Sequence, residues 1–137
     1  MVSQIPLASV SFSISGDRVD PDFWSQYFGV APDIAHRKGQ PFVTKTGQSL
    51  LKRTGVWVVT SGRLVSSDVL TPHFDCLIDR LGLPRDGFAK LPQRSELWVR
   101  FFCYWNNESR NRVPDIPERV KYLAASQAID IDIDEFK

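Results

Sequence analysis

The residues best equipped for chemistry stand together in "IAHRKGQP", residues 34–41: an imidazole (His36), two cations (Arg37, Lys38) and a glycine able to turn the chain around an anion. Imidazole changes charge near neutral pH, so His36 is a candidate general base or metal ligand. A metal site needs several converging ligands, yet the only other histidine is His73, and no HxxxH, HxH or HExxH spacing occurs. The plainer reading makes His36 a strand residue bonded to neighbouring backbone. Arg37 and Lys38 then guard a solvated sheet edge, where cations discourage unwanted pairing.

Other combinations carry less. Asp130, Asp132 and Asp134 alternate along "IDIDID", and extended geometry sets such carboxylates about 6.5–7 Å apart. Calcium needs ligands that wrap around it, and the tract does not match the EF-hand signature. A solvent-facing row, or the acidic half of an interface, fits better. Ser9, Ser11, Ser13 and Ser15 repeat along a strand face and do not form a G-x-S-x-G elbow. Cys76 and His73 are helical neighbours by spacing, with nothing else in the sequence to support a nucleophile and base. The glycines Gly39, Gly47 and Gly55 are too widely spaced for a phosphate loop. Cations near Trp57 fit single-stranded nucleic acid, but an isoelectric point near 7.8 is far from the basic footprint of such domains. Nucleic acid is therefore disfavoured, and no catalytic residue, metal or cofactor is assigned.

The elements that position these residues follow from periodicity. Residues 7–16 alternate Val10, Phe12 and Ile14 against four serines, a strand with one buried face. Asp20, Pro21 and Gly29 supply the cap, first position and left-handed exit of a helix whose stripe is Phe23, Trp24, Tyr27 and Phe28. Residues 34–38 make a short strand. The stretch between Gly39 and Gly55 is long for a structureless loop, and a turn at Thr46-Gly47 would allow an extra hairpin. Residues 56–61 form the next strand. Thr71 as cap, Pro72 as first residue and Gly82 as stop frame a second helix, with Phe74, Leu77, Ile78 and Leu81 inward. Residues 96–105 are apolar on both faces except at Arg100, which predicts a central strand. Trp98, Phe102 and Tyr104 share one face, which is covered by helices or a second subunit, or else left open for binding. Asp115 and Glu118 read as a capping box for a third helix. Ile129, Ile131 and Ile133 face inward on a last strand.

This order predicts an α+β fold: a mainly antiparallel five-stranded sheet with three helices, of split βαβ (ferredoxin-like) flavour. The 137 residues make a single domain, 1–137, with residues 1–6 flexible. At 42% apolar and 24% charged residues, the chain is globular in composition. Its net charge of +1 is unevenly spread: Arg37, Lys38, Lys45, Lys52, Arg53 and Arg63 occur between residues 34 and 67 with no acid, whereas the C-terminal strand is acidic. With two cysteines, neither in a ligand pair, no disulfide framework is expected and both thiols read as buried. No signal peptide or stretch of ~18 apolar residues is present, and the protein reads as cytoplasmic, without a membrane partner.

"SFSISGDRVDPDFWSQYFGVAPDIAHRKGQP", the strand "GVWVVTS", the strand ending "CYW" and the closing "IDIDIDEF" together resemble the bacterial "domain of unknown function 4279" family over roughly residues 7–136. The resemblance implies a small bacterial α+β domain and carries over no catalytic residue. The expected function is a non-enzymatic protein-binding module, with a protein partner or self-association, in one form a neutralising protein of the immunity or antitoxin kind. Its expected binding residues are His36, Arg37, Lys38, Arg53, Trp57, Trp98 and Tyr104. The competing expectation is a domain that binds a small anionic ligand in a pocket near His36 and Arg37.

Overall fold

Alternation along the strands decides which side of the sheet is covered. Strand β1 (Ala8–Gly16) buries Ala8, Val10, Phe12 and Ile14 and turns its serines to the opposite side. In the computed structural model, which describes residues 6–137, helix α1 (Pro21–Phe28) follows, then β2 (Ile34–His36), β3 (Pro41–Val43), β4 (Ser49–Leu51) and β5 (Gly55–Thr60). Helix α2 (Thr71–Leu81), two short 3-10 turns (Phe88–Lys90, Pro92–Arg94), β6 (Trp98–Asn106), α3 (Glu118–Ser126) and β7 (Asp130–Phe136) complete the chain. The expected flexibility of residues 1–6 lies, Pro6 apart, outside the described residues.

The main sheet has the order β2-β5-β1-β6-β7. Its first three pairings are antiparallel, but β6 and β7 run parallel, Phe101 opposite Ile131 and Cys103 opposite Ile133. The sheet is therefore mixed: mainly antiparallel, as expected, with one parallel pair at its β7 edge that the sequence reading did not foresee. The reason is the connection: α3 carries the chain back across the sheet, and a helical crossover returns a strand in the same direction. The pairings also make β1 and β2 parallel with β5 between them, and β5 and β6 parallel with β1 between them.

All three helices lie on one side. Trp24 and Phe28 of α1, Phe74, Leu77 and Leu81 of α2, and Val120 and Ala124 of α3 join Phe12, Trp57, Val59, Val99, Phe101, Cys103 and Trp105 in one buried cluster. Phe12 is its hub, with ring centroids 5.6 Å from Phe28, 5.7 Å from Phe101 and 6.3 Å from Trp57. Each such side chain removed from water contributes about 1.5–3 kcal/mol. Among the described residues no helix is long and apolar enough to cross a membrane.

Helix α1 starts as expected: Asp20 accepts hydrogen bonds from the Asp22 and Phe23 amides, and Gly29 ends it at φ +66°. The other two helix starts differ from the sequence reading. Thr71 does not cap α2. Asp115, far along the chain, reaches across to accept from the Leu70 amide (2.7 Å), the Thr71 amide (2.8 Å) and the Thr71 hydroxyl (2.6 Å). Helix α3 consequently begins after Pro117 without a side-chain cap. Cys103 is buried as expected, whereas Cys76 is only half-buried.

The stretch between residues 39 and 55 does hide a hairpin. β3 and β4 pair separately from the main sheet, around a turn where Gly47 adopts φ +83°. Bonds from the Gly39 amide to the Lys52 carbonyl (2.8 Å) and from the Lys52 amide to the Gln40 carbonyl (2.9 Å) join this hairpin to the β2–β5 pair. It extends that pair as an arm.

Candidate functional site: the open sheet face

With every helix on one side, no helix of the described residues covers the outer face of the sheet. Strand register arranges them in rows across the strands. His36, Val56, Ser15 and Trp98 form one row; Ile34, Val58, Ser13, Arg100 and Asp130 form the next; Thr60, Ser11, Phe102 and Asp132 form a third. Ser9, Tyr104 and Asp134 complete the pattern. The serines thus mark a line of small residues along β1, between valines on β5 and aromatics on β6.

The β6–β7 side of this face is organised around one cation. The Arg100 guanidinium lies over the Trp98 ring (4.1 Å to the centroid) and near that of Phe102 (4.8 Å), and its Nη1 donates to Asp132 at 3.1 Å. Trp98 Nε1 donates to Asp130 at 2.8 Å. Two carboxylates of the acidic row are therefore engaged by the aromatic strand, while Asp134 accepts no hydrogen bond among the described residues. Cation–π contacts of this kind contribute about 0.5–1 kcal/mol at exposed sites and more when desolvated. They hold a rigid aromatic platform in place, with Trp98 still 46% exposed. The pattern was open to inspection in the sequence: a lone arginine on the aromatic face of one strand and a period-two acidic row on another.

A family model described as a domain of unknown function (DUF4279) matches residues 6–136. The chain belongs to the DUF4279 family. No curated protein and no solved structure matches it.

Of the expected binding residues, this DUF4279 domain sets Trp98 and Tyr104 on the same face of β6 but about 20 Å apart along it, at ~3.3 Å per residue, and places His36 in the same row as Trp98 but three strands away, about 14 Å at ~4.8 Å per strand. Trp57 is a correction. It is fully buried, stacked on Phe28 at 5.4 Å, with its Nε1 donating to Ser25 Oγ, so it presents no surface to a partner. Arg37 binds Asp20 and Asp22 at 2.8 and 2.9 Å, and Lys38 binds Asp17 at 3.1 Å. The hydrogen bond it donates to Asp20 above all holds the Arg37 guanidinium above its ordinary pKa, and Lys38 draws the Asp17 carboxyl below its own. Exposed pairs like these add little stability, but they cancel charge that a ligand would need. Arg53 is exposed, with no ion pair among the described residues. His36 is half-buried; desolvation, then the nearby Lys52 charge, lower its pKa, and its Nδ1 has no hydrogen-bond partner among the described residues. An imidazole so placed is held neutral.

Among the described residues, two clefts that indent the surface are lined by neither His36 nor Arg37. The smaller, about 290 Å³, lies between Arg18, Asp20, Trp24 and the Pro92–Ser95 segment. The larger, about 530 Å³, runs between residues 6–9 and the loop 62–68. Among the described residues no three His, Cys, Asp or Glu side chains gather as a metal site.

One serine–histidine contact escaped the sequence reading. Ser61 Oγ and His73 Nδ1 are 2.7 Å apart, both residues buried. His73 Nε2 lies 2.9 Å from the Ser67 carbonyl, which can only accept, so Nε2 carries the proton and Nδ1 accepts from Ser61. Ser61 Oγ in turn accepts from the Val10 amide. Both ring nitrogens are occupied, which leaves His73 nothing to offer Cys76. The set braces β1, the end of β5 and α2 against one another. Burial pushes the Cys103 thiol up to about 12, so it stays protonated and unreactive.

Proposed function

We propose that this protein is a non-enzymatic protein-binding module, acting as a single domain in the cytoplasm, that engages its partner through the open face of the sheet. The observation that supports this is the helix-free aromatic face: exposed Trp98 and half-buried Phe102 on either side of Arg100, half-buried Tyr104 farther along β6, and Asp130, Asp132 and Asp134 beside them. Solvent-facing apolar clusters are rarely retained without a binding use, and Trp, Tyr and Arg are the side chains that most often anchor protein contacts. The carboxylates beside them suit a partner surface that carries cations, since complementary charge orients an encounter and speeds it. A cytoplasmic location agrees with two free thiols. The narrower form of the proposal is a neutralising role of the immunity or antitoxin kind, in which the face masks a partner's working surface. The order β2-β5-β1-β6, with its two interleaved parallel pairs, supports a ferredoxin-like reading of those strands, the arm being inserted and α3–β7 appended.

The test is affinity capture from native lysate with the wild type and with a Trp98→Ala/Tyr104→Ala variant. A partner retained in fixed proportion by the wild type and lost by the variant, with melting temperatures alike to within a few degrees, is the expected result. Equal recovery by both proteins removes the open face from the reading.

A further inference from the structure

The β3–β4 arm has a surface that its own molecule does not use. Side chains alternate across a two-stranded ribbon, so Pro41, Val43, Ser49 and Leu51 share one side and Phe42 and Leu50 the other. The second side is partly closed, because Lys52 lies over the Phe42 ring at 4.1 Å. The first is bare: Val43 is 67% and Leu51 64% exposed. Lys45 at the turn and Arg53 just beyond β4 bracket these apolar residues, and neither has an ion pair among the described residues. Nothing from residue 37 to residue 54 belongs to the core.

The open sheet face offers the matching surface. It pairs an exposed Trp98 and the half-buried Phe102 and Tyr104 with carboxylates, where the arm pairs exposed aliphatics with cations. Within one molecule the two cannot meet. The arm extends the β2–β5 pair along the strand direction, while β7 closes the far edge, four strand spacings or about 19 Å across.

We infer that a second copy of this chain occupies the open face, with the arm of each protomer laid against the β6–β7 side of the other. The inference rests on the reading of that face as a protein-binding surface and names one protein that it takes. Val43 and Leu51 pack on Trp98 and Phe102, while Lys45 and Arg53 approach Asp130 and Asp134. Because arm and receptor lie at opposite ends of the sheet, a two-fold axis makes both contacts at once, the closed arrangement most homodimers adopt.

Sedimentation equilibrium up to about 200 µM protein, in about 50 mM and about 500 mM salt, tests this, since salt screens exposed charges. The expected result is a dimer whose dissociation constant rises about tenfold or more in the higher salt. Lys45→Glu/Arg53→Glu and Asp130→Lys/Asp134→Lys should each give monomers, and mixing these two variants should restore the dimer, because every arm then meets a receptor of opposite charge. If Asp130→Lys/Asp134→Lys fails to fold, Asp134→Lys alone takes its place in the mixture. A wild-type chain that stays monomeric, or mixed variants that stay apart, overturn the inference. If such a monomer still captures another protein or a polynucleotide in a Trp98-dependent way, self-docking fails while the open-face reading stands. A dimer indifferent to these charge reversals and to Trp98→Ala is built elsewhere and also overturns it.

Discussion

Asp115 stands just ahead of α3 in sequence yet serves α2, taking three hydrogen bonds at its start. Burial pushes its carboxyl up, but the Thr71 hydroxyl and the Leu70 and Thr71 amides outweigh burial, and the net displacement is below the ordinary carboxylate value. The ionised form is therefore favoured by folding. Its contribution is complete above the unfolded carboxyl's pKa and fades as pH falls through the lower, folded one. We expect Asp115→Ala to lower the unfolding free energy at neutral pH by about 1–3 kcal/mol. Urea titrations should show this deficit shrinking between about pH 5 and pH 2, as the wild type loses the same charge. A deficit that stays constant into acid would mean that the protonated carboxyl caps the helix equally well. None of this was legible beforehand. Asp115 three residues before Glu118 has the spacing of a local capping box, and only tertiary structure reveals a helix start on another element that needs acceptors more.

Among the elements, the local signals of α1 and β1 translated faithfully, whereas the caps read for α2 and α3 gave way to a long-range contact. The α1 boundaries rest on Asp20, Pro21 and Gly29, each acting within a few residues of itself. The alternation of β1 sorted serines from apolar residues because only one of its faces is buried. "VWVVTS" has no such contrast, so its sequence could not say that Trp57 points inward with Val59 while Val56 and Val58 point out. The direction of β7 was equally silent in its isoleucine–aspartate pattern, which reports a face and not a neighbour. The intervening helix α3 held that information. Where β1 ends and β5 begins, two glycines lie opposite one another, and a Cβ on Gly55 would sit 2.8 Å from the Val19 Cβ and 2.9 Å from the Gly16 carbonyl oxygen. Backbone forms part of that obstruction, so it cannot swing aside. Gly55→Ala should cost about 1–3 kcal/mol, read as a lower denaturant midpoint with an unchanged slope; a silent substitution would show that the strand ends splay freely.

At the scale of the molecule, folding and contact are assigned to different parts. The core is built from β1, β5, β6 and the helices, and the arm adds nothing to it. Replacing residues 41–51 by Asn-Gly keeps the Gly39–Lys52 pairing and should leave the melting temperature within a few degrees of wild type. The same excision should leave a monomer in sedimentation. A large drop in melting temperature would instead make the arm part of the folding unit. The charge imbalance along the chain could be read from residue positions alone. That Lys45, Lys52 and Arg53 belong to a projecting ribbon and the acids to a far edge required the sheet order.

Along the middle of the uncovered side, β1 contributes only hydroxymethyl groups between larger side chains on its neighbours. The surface is accordingly a gutter, about 10 Å from bank to bank across two strand spacings. A level visitor would bridge the banks and leave water standing on the hydroxyls below. A slender ridge, one extended chain wide, can reach the floor and lean on both sides, so shape filters what arrives before any charge is read.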